Sequence, residues 1–346
     1  MEANYLPIKY HNGILTLLDQ RKLPLEEIFI DYNTIEGVHS GIKDMVVRGA
    51  PCIGFTAIFG MAIWLRSVAE TNMNEASKAI DFLKSARPTA VNLAFELDRV
   101  FEIIKENFSN HSLLISKVEA FGNLQIFESE KKNRAMAEFA EQDLMKKSSK
   151  DKYRILTHCN TGFLACGSIG TALGVVQNLA EKNKIDKVWV DETRPYLQGS
   201  RLTAYELVKL GVNHQIVVEG AASYLMRTGQ VDAIFTGADR IVANGDTANK
   251  VGTSNLAIIA KHYNIPFYIV APSSTFDLET KTGSNIEIEL RDQNEILEYR
   301  ESRIAPLEST AYNPSFDITD GKLITGIINE NGIAHGDYIE SLRSIL

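Results

Sequence analysis

The chain has 346 residues, with 36 Lys+Arg against 44 Asp+Glu for a formal net charge of -8, 45% hydrophobic residues, 23% charged residues and three cysteines. That acidic balance gives no long-range attraction to polyanions, which excludes nucleic acid and membrane surfaces as default partners while leaving room for a local basic pocket. Cys52, Cys159 and Cys166 make neither a disulfide framework nor a zinc ligand set, so the chain reads as cytoplasmic, with reduced thiols and no bound metal.

At about 150 residues per domain the length predicts two domains. The segment Met1 to Tyr10 has no secretory pattern, and no apolar run approaches the ~20 residues that cross a bilayer. Ile53 to Leu65, the most apolar stretch, contains glycine and predicts a buried core helix. Up to about Glu128 the pattern is mainly helical, with Asn74 to Leu83 and Thr89 to Asn107 repeating apolar residues every three to four positions, and strand signals are sparse. Glu128 to Lys150 is a charged helical stretch, and the domain junction is placed at its start, giving domains 1–128 and 129–346.

From Tyr153 short β-branched runs alternate with helical segments. Arg154 to His158, Lys187 to Asp191, Gln215 to Glu219, Asp232 to Thr236 and Pro266 to Ala271 read as buried strands. This alternation predicts a mostly parallel, doubly wound α/β sheet, because parallel neighbours need crossover helices. The tail Asn313 to Leu346 has two short apolar runs and is expected to pack onto the domain.

Ligands of such sheets bind beyond the strands' carboxyl ends. Those ends read Cys159-Asn160-Thr161-Gly162, Asp191-Glu192-Thr193-Arg194, Glu219-Gly220, Gly237-Ala238-Asp239-Arg240 and Pro272-Ser273-Ser274. Gly162, Gly167, Gly170 and Gly174 open a helix after the first strand, an arrangement suited to an anion or polar substrate. Their spacing is not the dinucleotide fingerprint, so NAD is not expected.

Cys159 is either an inert packing thiol or a thiolate favoured by the helix start, while His158, on the opposite face of the strand, reads as structural. Cys52 and Cys166 read as packing residues. Asp239 is expected in a partly desolvated site, as a general acid, as an ion-pair partner of Arg240 or as a helix cap. Asn244 to Lys250 reads as a polar loop before a helix from about Thr253 to His262. Arg48 and Arg87, each next to a turn, are either phosphate-binding forks or solvated charges.

Val47-Arg48-Gly49-Ala50-Pro51, Ala86-Arg87-Pro88-Thr89-Ala90, His158-Cys159-Asn160-Thr161-Gly162, Glu192-Thr193-Arg194-Pro195 with Gln198-Gly199, Gly237-Ala238-Asp239-Arg240 and Asn244-Gly245-Asp246-Thr247-Ala248-Asn249-Lys250 occur in that order. Together with Ser274-Thr275-Phe276-Asp277 and Asn313-Pro314-Ser315-Phe316-Asp317, they resemble the methylthioribose-1-phosphate isomerase family over nearly the whole chain. The resemblance implies a small, largely helical amino-terminal domain, a Rossmann-like carboxy-terminal domain, an active site in the cleft between them and a homodimer. It implies Cys159 and Asp239 as the catalytic pair. Arg48, Gly49, Ala50, Arg87, Gln198, Asn249 and Lys250 would hold the sugar phosphate, with no cofactor.

The implied reaction is an aldose-to-ketose isomerisation of a 5-substituted ribose 1-phosphate in methionine salvage. Similar enzymes act on 5-deoxyribose 1-phosphate, and regulatory subunits of the initiation factor 2B type share the fold and bind sugar phosphates without this catalysis. The chain departs from the family at Cys52, commonly alanine, and at Glu219, commonly aspartate.

Overall fold

The computed structural model describes residues 6–88, 90–299 and 302–346, and the chain divides into two compact units. The first comprises Met1–Lys131 with Gly162–Gly170, and the second Lys132–Thr161 with Thr171–Leu346. Thr89, the expected start of one helix, lies outside the described residues, as does the beginning of the amino-terminal segment.

The first unit is built on the helix Ala50–Ser67, which packs against Val91–Asn107 and Met73–Lys84. By length and composition Ala50–Ser67 would span a membrane, but most of it is buried in the unit's own core among Ile42, Val47, Leu83, Leu93 and Leu97. Sparse strand signals hid a small antiparallel sheet, Ile8–His11, Ile14–Leu18 and Phe29–Tyr32. Its middle strand buries Leu15 and Leu17 completely.

The helix Met73–Lys84 is capped by Asn72, whose side chain accepts from the N–H groups of Asn74 and Glu75. The charged stretch is part of a longer helix, His111–Lys147, which runs without a break through Glu128. In the second unit it buries Met136, Ala137, Ala140 and Leu144 against the large sheet.

Among the described residues that sheet has seven strands. Tyr153–His158 lies near the middle, with Ile185–Asp191 and then His214–Val217 outward on one side and Ala233–Thr236, Phe267–Val270 and Gly326–Asn329 on the other. All these neighbours are parallel. Gly332–Ala334 then turns back antiparallel at the edge.

Side chains alternate between two apolar layers. Ile155, Val188, Phe235, Tyr268 and Ile328 face one, and Leu156, Trp189, Ile234, Ile269 and Ile327 face the other. Covering both faces is what makes these strands near-continuous apolar runs. The sheet is the doubly wound, Rossmann-like architecture the alternation predicts.

Two expectations need correction. The tail is woven into the sheets: Gly326–Asn329 extends the large sheet, and Phe316–Thr319 belongs to a separate four-stranded sheet. Thr247–Lys250 is a fully buried strand of that second sheet, paired with Phe316–Thr319 and with Arg240–Val242. Its polar composition disguised it as a loop.

The amino ends of two central strands are tied by Asp232. Its carboxylate accepts from Arg154 N at 2.8 Å, Arg154 Nη2 at 2.9 Å and Lys150 Nζ at 2.6 Å. Burial opposes ionisation there, but these bonds outweigh it and hold the carboxyl below its ordinary range. A carboxyl lowered by folding stabilises the protein above the unfolded pKa and loses that contribution as pH falls through the folded one. Asp232→Asn is therefore expected to destabilise the fold by about 1.5–3 kcal/mol at pH 7. Urea titrations should find the deficit shrinking below about pH 4. A pH-independent deficit would contradict the assignment.

Candidate active site

The chain winds outward from Tyr153–His158 to one side, then returns to continue from Ala233–Thr236 on the other. These two strands are adjacent and parallel, with Thr157 beside Phe235. The loops leaving them diverge, which makes this the switch point where doubly wound sheets bind ligands. Cys159 leaves one of the two strands and Asp239 follows the other. The loops pass so closely that a Cβ on Gly237 would stand 2.5 Å from Thr161 Cγ2.

Cys159 is half-buried and has φ 62, a left-handed conformation that costs a non-glycine residue about 1–3 kcal/mol. Buried neighbours hold it there. Thr203 Oγ1 donates to Cys159 O at 2.5 Å, while Asn160 Nδ2 donates to the fully buried Glu206 at 2.8 Å. The helix expected to activate the thiol is only the four residues Phe163–Cys166, broken at Gly167 before Ala172–Glu181 begins. Peptide dipoles sum along a helix, so so short a turn contributes little. Cys52 and Cys166 are buried.

Asp239 is anchored by its backbone N–H, which donates to Ala248 O at 2.9 Å, but its side chain is exposed, contrary to the expected partial desolvation. Its neighbour Arg240 pairs with Asp277 at 3.6 Å. Asn249 and Lys250 end the buried strand Thr247–Lys250, their backbones registered with Asp317 and Phe316. Asn249 Nδ2 donates to Thr253 Oγ1 at 2.9 Å, and Thr253 Oγ1 in turn donates to Lys250 O at 2.6 Å.

Gln198 is buried and accepts from Thr193 Oγ1 at 2.9 Å, at the start of a single wide helical turn, Gly199–Thr203. Such turns recur at functional sites. Gly199 has no substitute here, because a Cβ would meet Asp191 O at 2.4 Å.

The remaining expected ligands belong to the first unit. Gly49, with φ 89, precedes the helix Ala50–Ser67 and leaves its amino end without a side-chain cap. A Cβ on Gly49 would lie 2.5 Å from Ala165 Cα. Gly54, one turn into this helix, faces Asn92 O, so Ala50–Ser67 and Val91–Asn107 begin at the same end. Half-buried Arg48 precedes the first helix, and half-buried Arg87 lies shortly before the second. Two positive helix ends with two guanidinium groups suit a phosphate.

Residue-by-residue reading gave no role to Glu206, Thr203 or Asp317. Glu206 carried a signal, being a carboxylate within the apolar run Leu202 to Leu207. Asp317 accepts from Gly252 N at 2.7 Å and Ser254 N at 3.1 Å, capping the helix that follows Lys250. Burial raises its carboxyl pKa against those hydrogen bonds. Among the described residues no group of three or more His, Cys, Asp or Glu is placed to hold a metal ion.

Residues 46–336 match the model of the initiation factor 2 subunit family. The chain is 42% identical over 344 residues to the methylthioribose-1-phosphate isomerase of Caldicellulosiruptor saccharolyticus, covering 97% of this chain and 98% of that one. Among solved structures, 5-methylthioribose 1-phosphate isomerase from Pyrococcus horikoshii OT3 superposes with a TM-score of 0.92 at 37% identity, covering 100% of this chain and 99% of that one. A structure described as translation initiation factor eIF-2B, subunit delta, from A. fulgidus has a TM-score of 0.88 at 35% identity, with 98% of each chain covered. The chain therefore belongs to the initiation factor 2 subunit family and, within it, to the methylthioribose-1-phosphate isomerases.

Proposed function

We propose that the chain converts 5-methylthioribose 1-phosphate into 5-methylthioribulose 1-phosphate, an aldose-to-ketose isomerisation in methionine salvage. What carries this reading is that Cys159 and Asp239 follow the two strands flanking the switch point of the sheet. The family resemblance adds a cytoplasmic homodimer as the working form. It also assigns Arg48, Gly49, Ala50, Arg87, Gln198, Asn249 and Lys250 to the substrate and its phosphate.

The chemistry has one obstacle. Phosphate on C1 locks the sugar as a ring, so no aldehyde acidifies the C2 proton. Asp239 in its neutral form protonates the ring oxygen as the bond from that oxygen to C1 breaks, leaving a C4 hydroxyl and a cationic C1 stabilised by its phosphate oxygen. The Cys159 thiolate then removes the C2 proton, forming an enol. The Cys159 thiol exchanges its hydrogen with water and delivers a proton to C1 while the C2 hydroxyl proton goes back to Asp239, leaving the ketone with atoms balanced. Cationic groups at the phosphate hold the intermediate in place.

Cys159→Ser and Asp239→Asn should each lower kcat by about 10²–10⁴-fold while circular dichroism stays unchanged. A near-normal rate in either variant removes that residue from the scheme. Run in deuterium oxide, the reaction should place deuterium at C1 of the product. Complete transfer of the original C2 hydrogen with no solvent label would replace the proton path with a hydride shift.

Values of kcat/KM for the 5-methylthio, 5-deoxy and unsubstituted ribose 1-phosphates should be highest for the first. A higher value for 5-deoxyribose 1-phosphate would reassign the substrate. The likeness to the A. fulgidus structure supports a second reading, a sugar-phosphate-binding regulatory subunit. Binding of all three sugars without ketose formation would favour it.

A further inference from the structure

His158 is almost fully buried, and both ring nitrogens face acceptors. Nδ1 lies 3.0 Å from Asp191 Oδ2, and Nε2 lies 3.0 Å from Val251 O. A carbonyl only accepts, so Nε2 carries the hydrogen; Nδ1 and the carboxyl share a second. The ring sits directly against the following residue, where a Cβ on Gly252 would come within 2.8 Å of His158 Cε1. Gly252 keeps φ 104 and is held from the other side by Asp317.

This one imidazole thus joins two chain segments by covalent neighbourhood: it precedes Cys159, and the carbonyl it holds follows Lys250. Asp191 comes from the adjacent strand in direct register with His158. Its Oδ2 is hydrogen-bonded to the ring, and its Oδ1 is buried without a hydrogen-bond partner. Burying an unpaired carboxyl is expensive, which gives the pair a reason beyond packing.

We propose that His158, oriented by Asp191, is a positioning residue that sets Cys159 and the Lys250–Gly252 turn relative to each other. The inference rests on the proposed roles of Cys159 and Lys250 in the isomerisation. It assigns to the pair neither proton transfer to substrate nor substrate contact.

The test uses the full chain and the variants His158→Leu, His158→Gln, Asp191→Leu and Asp191→Asn. Each is measured for kcat and KM with 5-methylthioribose 1-phosphate, for thermal midpoint, and for the alkylation rate of Cys159 by iodoacetamide, followed by peptide mass spectrometry. Displacing both ends together should lower kcat by about 100-fold and raise KM about fivefold in His158→Leu, with the Cys159 alkylation rate also altered.

Asparagine offers the ring either a donor or an acceptor in the same place, so Asp191→Asn should retain at least about tenfold more kcat/KM than Asp191→Leu. If the leucine variants do not fold, a joint change of kcat and KM in His158→Gln, exceeding that in Asp191→Asn, supports the proposal. Variants with lower thermal midpoints but wild-type kcat, KM and alkylation rate would overturn it, as would equal losses in both Asp191 variants. Should the wild-type chain fail to turn over the sugar, the function fails first; the alkylation rates then decide the inference by themselves, unchanged rates overturning it.

Discussion

A parallel sheet wound outward in both directions from one strand has a single crevice where neighbouring loops part, and the chemistry proposed for this chain depends on that constraint. Cys159 and Asp239 flank it because the segments preceding them are adjacent strands, though 80 positions separate the two residues. The location carries a physical penalty. Loops leaving a sheet covered on both faces bring polar groups into a dry setting, and each must find a partner. The partners come from neighbouring helices and strands: Glu206 for Asn160, Thr203 for the Cys159 carbonyl, Asp191 for His158 and Asp317 for the amides after Lys250. The proposed catalytic geometry and polar satisfaction share one network.

Backbone conformation points to the same places. Among the described residues, the non-glycine positions with positive φ are Asn12, Met45, Cys159, Asn183, Leu197 and Asn264. Asparagine adopts this region readily, whereas the other three do so against a steric penalty of about 1–3 kcal/mol. Met45 lies just ahead of Arg48, Leu197 adjoins Gln198, and the third is Cys159 itself. Strain that folding retains beside candidate ligands in each case is better explained by what the backbone presents than by local stability.

The legible part of the sequence was its local part. Apolar runs followed by helical spacing exposed the central strands, since those runs are buried on both faces. Thr247–Lys250 was illegible because Thr-Ala-Asn-Lys has no apolar pattern and becomes a strand through pairing with Phe316–Thr319, far along the chain. The amino-terminal sheet failed for a related reason: its short strands acquire their pattern by resting on the helical core. His158 was legible as a buried residue facing away from Cys159, but its two acceptors belong to other strands and loops, and no spacing encodes them. The helix-dipole argument for the thiol failed differently, because glycines that look like a helix start instead interrupt the helix after Cys166.

Asp239 poses the last physical question. It is exposed, yet the role proposed for it, protonating a ring oxygen, requires the neutral acid. Removal of water disfavours the charged form of a carboxyl, so a sugar seated over Asp239 would itself favour the proton that the reaction consumes. This fits the contrast at the switch point: the Cys159 loop is strained and held by buried partners, whereas Asp239 is an exposed residue whose backbone N–H is bonded to Ala248. In the proposed scheme a base that must meet one carbon-bound proton benefits from rigid placement, while an acid that gains its proton by desolvation benefits from starting exposed.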